Sequence, residues 1–197
     1  MKRISALICA ICLTAASLHI TAFAENNAAA QAEPDKGGYS AYIKKSNEYG
    51  FAESGVYADC SSPVLSGNCA EYTVNIAKGG LYNLVVTYSP KCVGGDLKFG
   101  LQIDGKYPFD EAESLELPRF WRDKGDIRTD EYGNQQAPEQ EEITDESTVT
   151  VYDPDGVSVQ PLMFALSEGT HKIKVIYGTV NLDIKGLAFA APEAVKS

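Results

Sequence analysis

The stretch Glu71-Tyr-Thr-Val-Asn-Ile76, followed by Gly79-Gly80 and then by Leu81-Tyr-Asn-Leu-Val-Val-Thr-Tyr88, decides the class of fold. Apolar and polar residues alternate in its first part, which is the pattern of a strand with one buried face. The two glycines predict a turn, after which the chain returns as a second strand. Residues 97–103 alternate again and run into Asp104-Gly105, a dipeptide typical of a two-residue hairpin turn.

Further strand-like segments follow, separated by glycine turns, at residues 148–152, 157–166, 171–177 and 181–189. Only residues 39–49 suggest a short helix. About eight short strands with hardly any helical periodicity predict an all-β fold, a β-sandwich or jelly roll. We assign this domain to residues 39–190 and expect a short tail at 191–197.

The composition argues against nucleic-acid binding. The 197 residues include 17 Lys and Arg against 27 Asp and Glu, a formal charge of −10 and a pI near 4.7. Phosphate recognition needs clustered basic residues instead. A hydrophobic content of 44% is that of a packed globule.

Residues 1–24 have the pattern of a secretory signal peptide. Lys2 and Arg3 precede an apolar run from Ile4 to Ile20, and Ala22-Phe23-Ala24 is a small-x-small cleavage site. Cleavage leaves 15 basic and 27 acidic residues, a charge of −12. We expect a secreted chain, extracellular or at the cell surface, with no membrane span after cleavage. Residues 25–38 have the composition of a flexible linker.

Most of the acidity lies in residues 123–155, which contain 11 acidic and two basic residues, a charge of −9. The segment interrupts the strand rhythm, and we predict a long acidic loop.

Three cysteines remain after cleavage, namely Cys60, Cys69 and Cys92. A Cys60–Cys69 disulfide is the favoured pairing in an oxidising compartment, because the intervening residues have the composition of a turn. Three buried thiols are the alternative.

Catalytic chemistry has few candidates in this sequence. His171 is the only histidine after residue 24, and it stands at the start of an alternating strand, so we expect an exposed strand-end residue rather than a catalytic base. Paired carboxylates for glycoside hydrolysis are harder to exclude, but a solvated acidic loop is the favoured interpretation. We therefore predict that the protein is not an enzyme and keep a small glycosidase as a third hypothesis.

The aromatic residues suggest binding. Trp121, the only tryptophan of the chain, follows Arg119 where apolar sequence gives way to acidic sequence, and Tyr132 and Asn134 come shortly after. Exposed rings among planar polar groups can stack on the apolar faces of sugars. In the alternative interpretation, Trp121 and Phe120 close the edge of the sandwich as core residues.

Four motifs occur in order over residues 39–190: Gly80-Leu-Tyr-Asn-Leu-Val-Val-Thr-Tyr88, Leu101-Gln-Ile-Asp-Gly-Lys-Tyr-Pro-Phe-Asp-Glu-Ala112, Arg119-Phe-Trp-Arg-Asp123 and Asp126-Ile-Arg-Thr-Asp-Glu-Tyr-Gly-Asn134. This arrangement resembles the amino-terminal β-sandwich of secreted solute-binding proteins of bacterial ABC transporters. That domain is galactose-binding-like and related in shape to carbohydrate-binding modules.

The resemblance implies a jelly roll that binds or presents carbohydrate outside the cell. Thr179-Val-Asn181-Leu-Asp183-Ile is similar to the closing strand of such modules. On that analogy Asn181 contacts sugar, and Asp183 helps to hold a structural calcium ion, with Glu53 as a candidate acidic partner. Alternatively, Asn181 shapes a turn and Asp183 caps the next strand.

Two functions follow as the main hypotheses. The first is a secreted, non-catalytic carbohydrate-binding domain, associated with sugar uptake by an ABC transporter and working beside a separate solute-binding protein. The alternative is a structural or protein-interaction module of a surface transport system that binds no sugar itself.

Overall fold

A computed structural model describes residues 37–153, 156 and 158–192, so the predicted signal peptide, most of the linker and most of the tail lie outside the described residues. The helical elements are α1 (Tyr39–Ser46) and two 3₁₀ turns (Asn47–Tyr49 and Asp110–Glu113), which confirms the predicted short helix. No helix of the described part is long and apolar enough to cross a membrane. The strands are β1 (Tyr57–Asp59), β2 (Val64–Ser66), β3 (Cys69–Ile76), β4 (Gly80–Pro90), β5 (Lys98–Ile103), β6 (Leu115–Glu116), β7 (Phe120–Lys124), β8 (Arg128–Thr129), β9 (Gln135–Gln136), β10 (Glu139–Ile143), β11 (Ser147–Thr150), β12 (Met163–Leu166), β13 (Gly169–Tyr177) and β14 (Leu182–Ala190).

Two antiparallel sheets form the predicted jelly-roll β-sandwich. The first sheet has the order β1-β14-β4, and both β11 and β12 pair with the other edge of β4. The second has the order β2-β3-β13-β5-β6. Side chains from both sheets form one buried core, in which the largest fully buried residues are Tyr72, Tyr82, Tyr88, Phe99, Phe109, Phe164 and Phe189.

The chain crosses between the sheets at the point where the sequence predicts a turn. Burial alternates strictly along β3, as its sequence predicts, but β3 pairs with β2 and β13 and not with β4. Gly80 begins β4 in the other sheet and packs against the backbone, since a Cβ there would lie 3.0 Å from the Ala52 nitrogen. Alternation specifies a buried face and does not specify the neighbouring strand.

The predicted turn at Asp104-Gly105 is confirmed. Asp104 has a φ of 51° and Gly105 a φ of 81°, the positive values that a tight two-residue turn requires at both positions. Asp and Gly are among the residues that tolerate this backbone region. The turn closes between Ile103 and Lys106, which form an isolated bridge.

Helix α1 covers the free edge of β12. Two of its tyrosine hydroxyls accept hydrogen bonds from backbone N–H groups of that strand, Tyr39 from Met163 at 2.9 Å and Tyr42 from Ala165 at 2.7 Å. Unpaired edge strands are open to association with other chains. The helix therefore satisfies two donors that β12 would otherwise present to solvent.

The acidic segment is not the irregular loop that its composition predicts. Within residues 123–155, β8 and β9 pair at a tip, and β10 pairs with β7 over five residues, so these four strands form a β-ribbon outside both sheets. β11 then joins the first sheet. The ribbon escapes prediction because charged and polar residues lie on both of its faces, so the alternation of a half-buried strand is missing.

The predicted Cys60–Cys69 disulfide is not formed, and all three described cysteines are free thiols. Ser61, which follows Cys60, exchanges hydrogen bonds with Thr73 of β3. Thr73 is four residues from Cys69 along an extended strand, about 13 Å at ~3.3 Å per residue. A disulfide needs Cα atoms within about 7 Å of each other. The turn-like sequence between the cysteines therefore crosses from one sheet to the other without bringing them together.

Candidate ligand-binding site

The two faces of the ribbon differ in chemistry. In the register of β7 and β10, Trp121 lies opposite Glu142 and Asp123 opposite Gln140. Because side chains alternate along a strand and directly paired residues share a face, these four residues form one side, which we call the Trp121 face. The opposite side, which we call the Phe120 face, consists of Phe120, Arg122, Lys124, Glu139, Glu141 and Ile143.

The cations of the two paired strands lie on the Phe120 face. The Arg122 guanidinium pairs with Glu141, and the Lys124 ammonium lies 3.9 Å from a Glu139 carboxylate oxygen. On the Trp121 face, the amide of Gln140 donates a hydrogen bond to Asp123. The Trp121 face thus presents an aromatic ring, a carboxylate and an amide side by side.

Trp121 is not a core residue. It is 52% exposed, and its neighbour Phe120 is 39% exposed. The interpretation that these rings close the edge of the sandwich is therefore wrong. Tyr88 performs an anchoring role instead, since its buried hydroxyl donates a hydrogen bond to the Pro118 carbonyl just before the ribbon begins.

An ion pair fastens the base of the ribbon to the loop between β4 and β5. Arg119 Nη1 donates to Glu142 Oε1, and the guanidinium also donates to three loop carbonyls: Nε to Gly95 at 2.5 Å, Nη2 to Gly94 at 2.6 Å and Nη1 to Cys92 at 3.1 Å. The Gly94 N–H donates to Glu142 Oε2 at 2.8 Å. The Glu142 side chain has no solvent exposure and that of Arg119 only 12%.

This ion pair controls the protonation of Glu142. Loss of solvent raises the pKa of this carboxyl group, but the Gly94 N–H and the Arg119 guanidinium together hold the pKa below its ordinary value of 4.5. The carboxylate is therefore charged at neutral pH, and each of its oxygens has a donor.

Asn181 belongs to the same cluster. Its side-chain Nδ2 donates to the Gly94 carbonyl at 3.4 Å, and its backbone carbonyl accepts from the Lys91 N–H at 2.7 Å. Loop 91–96 is therefore held from two sides, by Arg119 and by Asn181. The structure brings these two predicted contact residues together, with donors directed at the backbone of the loop.

Tyr132 and Asn134 lie apart from this cluster, at the tip of the ribbon beyond β8 and β9. The Asp130 carboxylate organises the tip by accepting from the N–H groups of Tyr132 and Asn134, at 2.9 and 2.8 Å, and from the Asn134 side chain at 3.1 Å. Asn134 in turn lowers the pKa of Asp130. Tyr132 is 82% exposed, so this aromatic ring is presented at the end of the ribbon away from the Trp121 base.

Glu53 and Asp183 cannot hold one metal ion together. Glu53 follows Ala52, which bonds to Leu81 at the start of β4, whereas Asp183 lies opposite Ser89 near its end. Eight residues of strand separate these positions, about 26 Å. The two carboxylates pair with separate lysines, Lys78 and Lys185. Within the described ranges, no group of three or more acidic, histidine or cysteine residues could hold a metal ion.

His171 forms a polar cluster that the sequence did not predict. The expected exposed position is wrong, since this residue is only 6% exposed. Its Nδ1 lies 2.7 Å from Asp104 Oδ2, and its Nε2 lies 2.9 Å from the Ser167 carbonyl and 3.4 Å from the Ser167 hydroxyl.

The arrangement of serine, histidine and aspartate is structural. A carbonyl oxygen only accepts, so Nε2 carries a hydrogen in this contact and has no lone pair with which to take a proton from Ser167. Asp104 also accepts from the Lys172 N–H at 2.9 Å. The cluster joins the Asp104-Gly105 turn to the start of β13, and the Asp-Gly turn was its only signal in the sequence.

Comparison with known proteins yields distant matches only. No family model and no curated protein matches the chain. A family 35 carbohydrate-binding module from an environmental isolate is 13% identical with a TM-score of 0.34, covering 73% of this chain and 86% of that one. The family 35 module from Clostridium thermocellum is 12% identical with a TM-score of 0.33, covering 70% and 83%.

A β-glucosidase from Paenibacillus barengoltzii is 14% identical with a TM-score of 0.38, over 68% of this chain. The match covers only 10% of that enzyme. Similarity at these values establishes neither a ligand nor an activity for this chain.

Proposed function

We propose that this chain is a secreted, non-catalytic carbohydrate-binding domain whose binding surface is the Trp121 face of the ribbon. The observation that carries the proposal is the half-exposed indole of Trp121, flanked by Asp123 and Gln140 on the same face. Sugar rings have apolar C–H faces that stack on aromatic rings and hydroxyls that pair with carboxylates and amides. The signal-peptide pattern of residues 1–24 supports the secreted location in this proposal.

The rigidity of the ribbon base supports this proposal. Glu142, the cross-strand neighbour of Trp121, is fastened by Arg119 and by the Gly94 N–H. A strand pair fastened before binding loses less conformational entropy when a ligand arrives.

The geometry of the carboxylates also supports a non-catalytic domain in this proposal. Glycoside hydrolysis needs two carboxyl groups that both face the scissile bond. On the Trp121 face, Glu142 is held by Arg119 and Gly94, which leaves Asp123 as the carboxylate at the surface. His171 belongs to a separate cluster and is hydrogen-bonded through both ring nitrogens.

A pair of alanine variants tests the proposal. Trp121→Ala removes the ring from the binding face, and Phe120→Ala removes the adjacent ring from the opposite face of the same ribbon. A glycan array identifies ligands, and isothermal titration calorimetry then measures the affinity of each variant for them. The affinity of the first variant should fall at least about tenfold, which corresponds to about 1.4 kcal/mol of binding free energy. The second should bind like the wild type. Equal effects of the two variants would refute the assignment of the face.

We further propose a biological context for this domain. The ordered motifs of residues 80–134 support association with sugar uptake by an ABC transporter, beside a separate solute-binding protein. A structural calcium ion also remains a proposal, with Asp183 as its one candidate ligand. Glycan arrays with and without calcium test this proposal. If the ion is structural, glycan binding should be weaker in the array without calcium.

The second candidate function is a protein-interaction module. Val93 and Val180 are 68% and 87% exposed, on two loops that Asn181 joins through the Gly94 carbonyl. Exposed apolar groups of this kind suit a protein partner. A flat glycan array in both calcium conditions would favour this function. Val93→Asp with Val180→Asp should then abolish binding to a solute-binding protein of a transporter, measured by surface plasmon resonance.

A further inference from the structure

Charge on β7 and β10 is distributed so that the Trp121 face of these two strands is negative. Arg122 and Lys124, the basic residues of β7, lie on the Phe120 face, next to Glu141 and Glu139. The cross-strand neighbour of Asp123 is Gln140, which is neutral. The carboxylate of Asp123 therefore shares its face with no cation from either of the two paired strands.

Residues at the base of the ribbon do not change this sign. The charge of Arg119 is matched by that of Glu142, and its guanidinium is directed at three loop carbonyls. The adjoining loop 91–96 carries one basic residue, Lys91, and one acidic residue, Asp96, so it adds no net charge. A ligand that stacks on Trp121 thus meets a carboxylate and an amide.

We infer that the Trp121 face selects amino sugars, an inference that rests on the proposed function. Oligomers of glucosamine bind more tightly than neutral oligomers and far more tightly than oligomers of uronic acid. An ammonium group beside Trp121 gains both from the carboxylate of Asp123 and from the face of the indole ring. A uronate carboxylate meets Asp123 as a like charge.

The size of the preference follows from the exposure of the site. Exposed ion pairs and cation–π contacts are each weak, so we expect glucosamine oligomers to bind about 3- to 20-fold more tightly than neutral oligomers of equal length. The ionic part of this ratio should shrink in 1 M salt, where charges are screened beyond about 3 Å.

Fluorescence measures this directly, since Trp121 is the only tryptophan of the chain. The full secreted chain is titrated with tetramers of glucosamine, glucose and galacturonic acid at low and high salt. Asp123→Asn removes the charge from the Trp121 face and keeps an acceptor for Gln140. The matched control is Glu139→Gln, which removes one negative charge from the Phe120 face of the same ribbon.

The expected result is the order glucosamine, then glucose, then galacturonic acid, with the preference lost in Asp123→Asn and retained in Glu139→Gln. Equal binding of the three tetramers, tighter binding of galacturonic acid, or equal effects of the two variants would overturn this inference and leave the proposed function in place. No response to any tetramer or to the glycan array would overturn both.

Discussion

Replacing Tyr42 by phenylalanine tests how the helix protects the edge of the first sheet. The Tyr42 hydroxyl accepts a hydrogen bond from the Ala165 N–H at 2.7 Å, and its ring is packed in the core. Tyr42→Phe keeps the ring and removes the hydroxyl, and with it the acceptor for the Ala165 N–H at the edge of β12.

The magnitude follows from the donor that loses its partner. The Ala165 N–H is part-buried, and leaving it unsatisfied should cost about 1 kcal/mol of the free energy of unfolding, the low end of the range for buried donors. In a domain of this size that is a fall of about 2–4 °C in Tm for each kcal/mol. The control is Tyr57→Phe on β1, where the side chain is 56% exposed and the expected change is within about 0.5 kcal/mol.

Alkaline pH provides an independent check on the same hydroxyl. Burial is the main cause that raises the pKa of Tyr42 from 10.0 to about 12. As the pH rises, the unfolded chain therefore loses the Tyr42 proton before the folded chain does. The contribution of this hydroxyl to the free energy of unfolding is complete below pH 10 and is lost as the pH rises towards 12. Two pKa units correspond to a fall of about 3 kcal/mol in the free energy of unfolding at high pH, a pH dependence that Tyr42→Phe lacks.

Urea denaturation of both variants and the wild type, at pH 8 and at pH 11 to 12, measures these quantities. The wild type should be more stable than Tyr42→Phe at pH 8, and the difference should close at high pH. Other tyrosines that titrate in this range affect both proteins alike, so they cancel in the difference. A variant as stable as the wild type at pH 8, or a difference that does not change with pH, would refute the reasoning.

Two further predictions concern the ribbon base and the thiols. Because the pKa of Glu142 is lowered in the folded chain, the ion pair with Arg119 contributes stability above pH 4.5 and loses it as the pH falls through the depressed value. The fluorescence emission of Trp121 should therefore change reversibly below pH 4.5, and Glu142→Gln should abolish this transition. Wild-type emission that stays unchanged below pH 4.5, while circular dichroism reports a folded chain, would contradict the prediction. Burial raises the pKa of Cys60 to about 12, whereas Cys92 is exposed, so a thiol reagent at pH 8 should modify Cys92 at least about tenfold faster, as peptide mass spectrometry can show. Equal rates would count against the position of Cys60.

Local patterns were sufficient where a residue's neighbours in sequence decide its environment. The alternation of residues 71–76 predicted a strand with one buried face, and Asp104-Gly105 predicted a tight turn, because both depend on backbone geometry over a few residues. The same patterns did not reveal that β3 and β4 lie in different sheets. Strand partners are decided by packing across the whole core, which alternation along one strand does not encode.

Composition was less informative in the acidic segment. A charge of −9 over residues 123–155 predicts a solvated segment, yet it cannot distinguish an irregular loop from a ribbon with charged residues on both faces. The same limit applies to His171, whose strand-end position suggested exposure. Its burial depends on Asp104, which is 67 residues away in the sequence and 2.7 Å away in the structure.

The sequence by itself determined an acidic all-β chain with one tryptophan at the entrance to its acidic segment, since strand periodicity and charge are properties of neighbouring residues. Only the tertiary structure decided which polar groups around Trp121 are exposed beside its ring and which are tied up in contacts with the sandwich. Arg119 is fastened to Glu142 and to a loop some 25 residues earlier, whereas Asp123 lies on the exposed face of the ribbon. That division depends on strand register and on contacts between distant segments, and these exist only when the whole sandwich has folded.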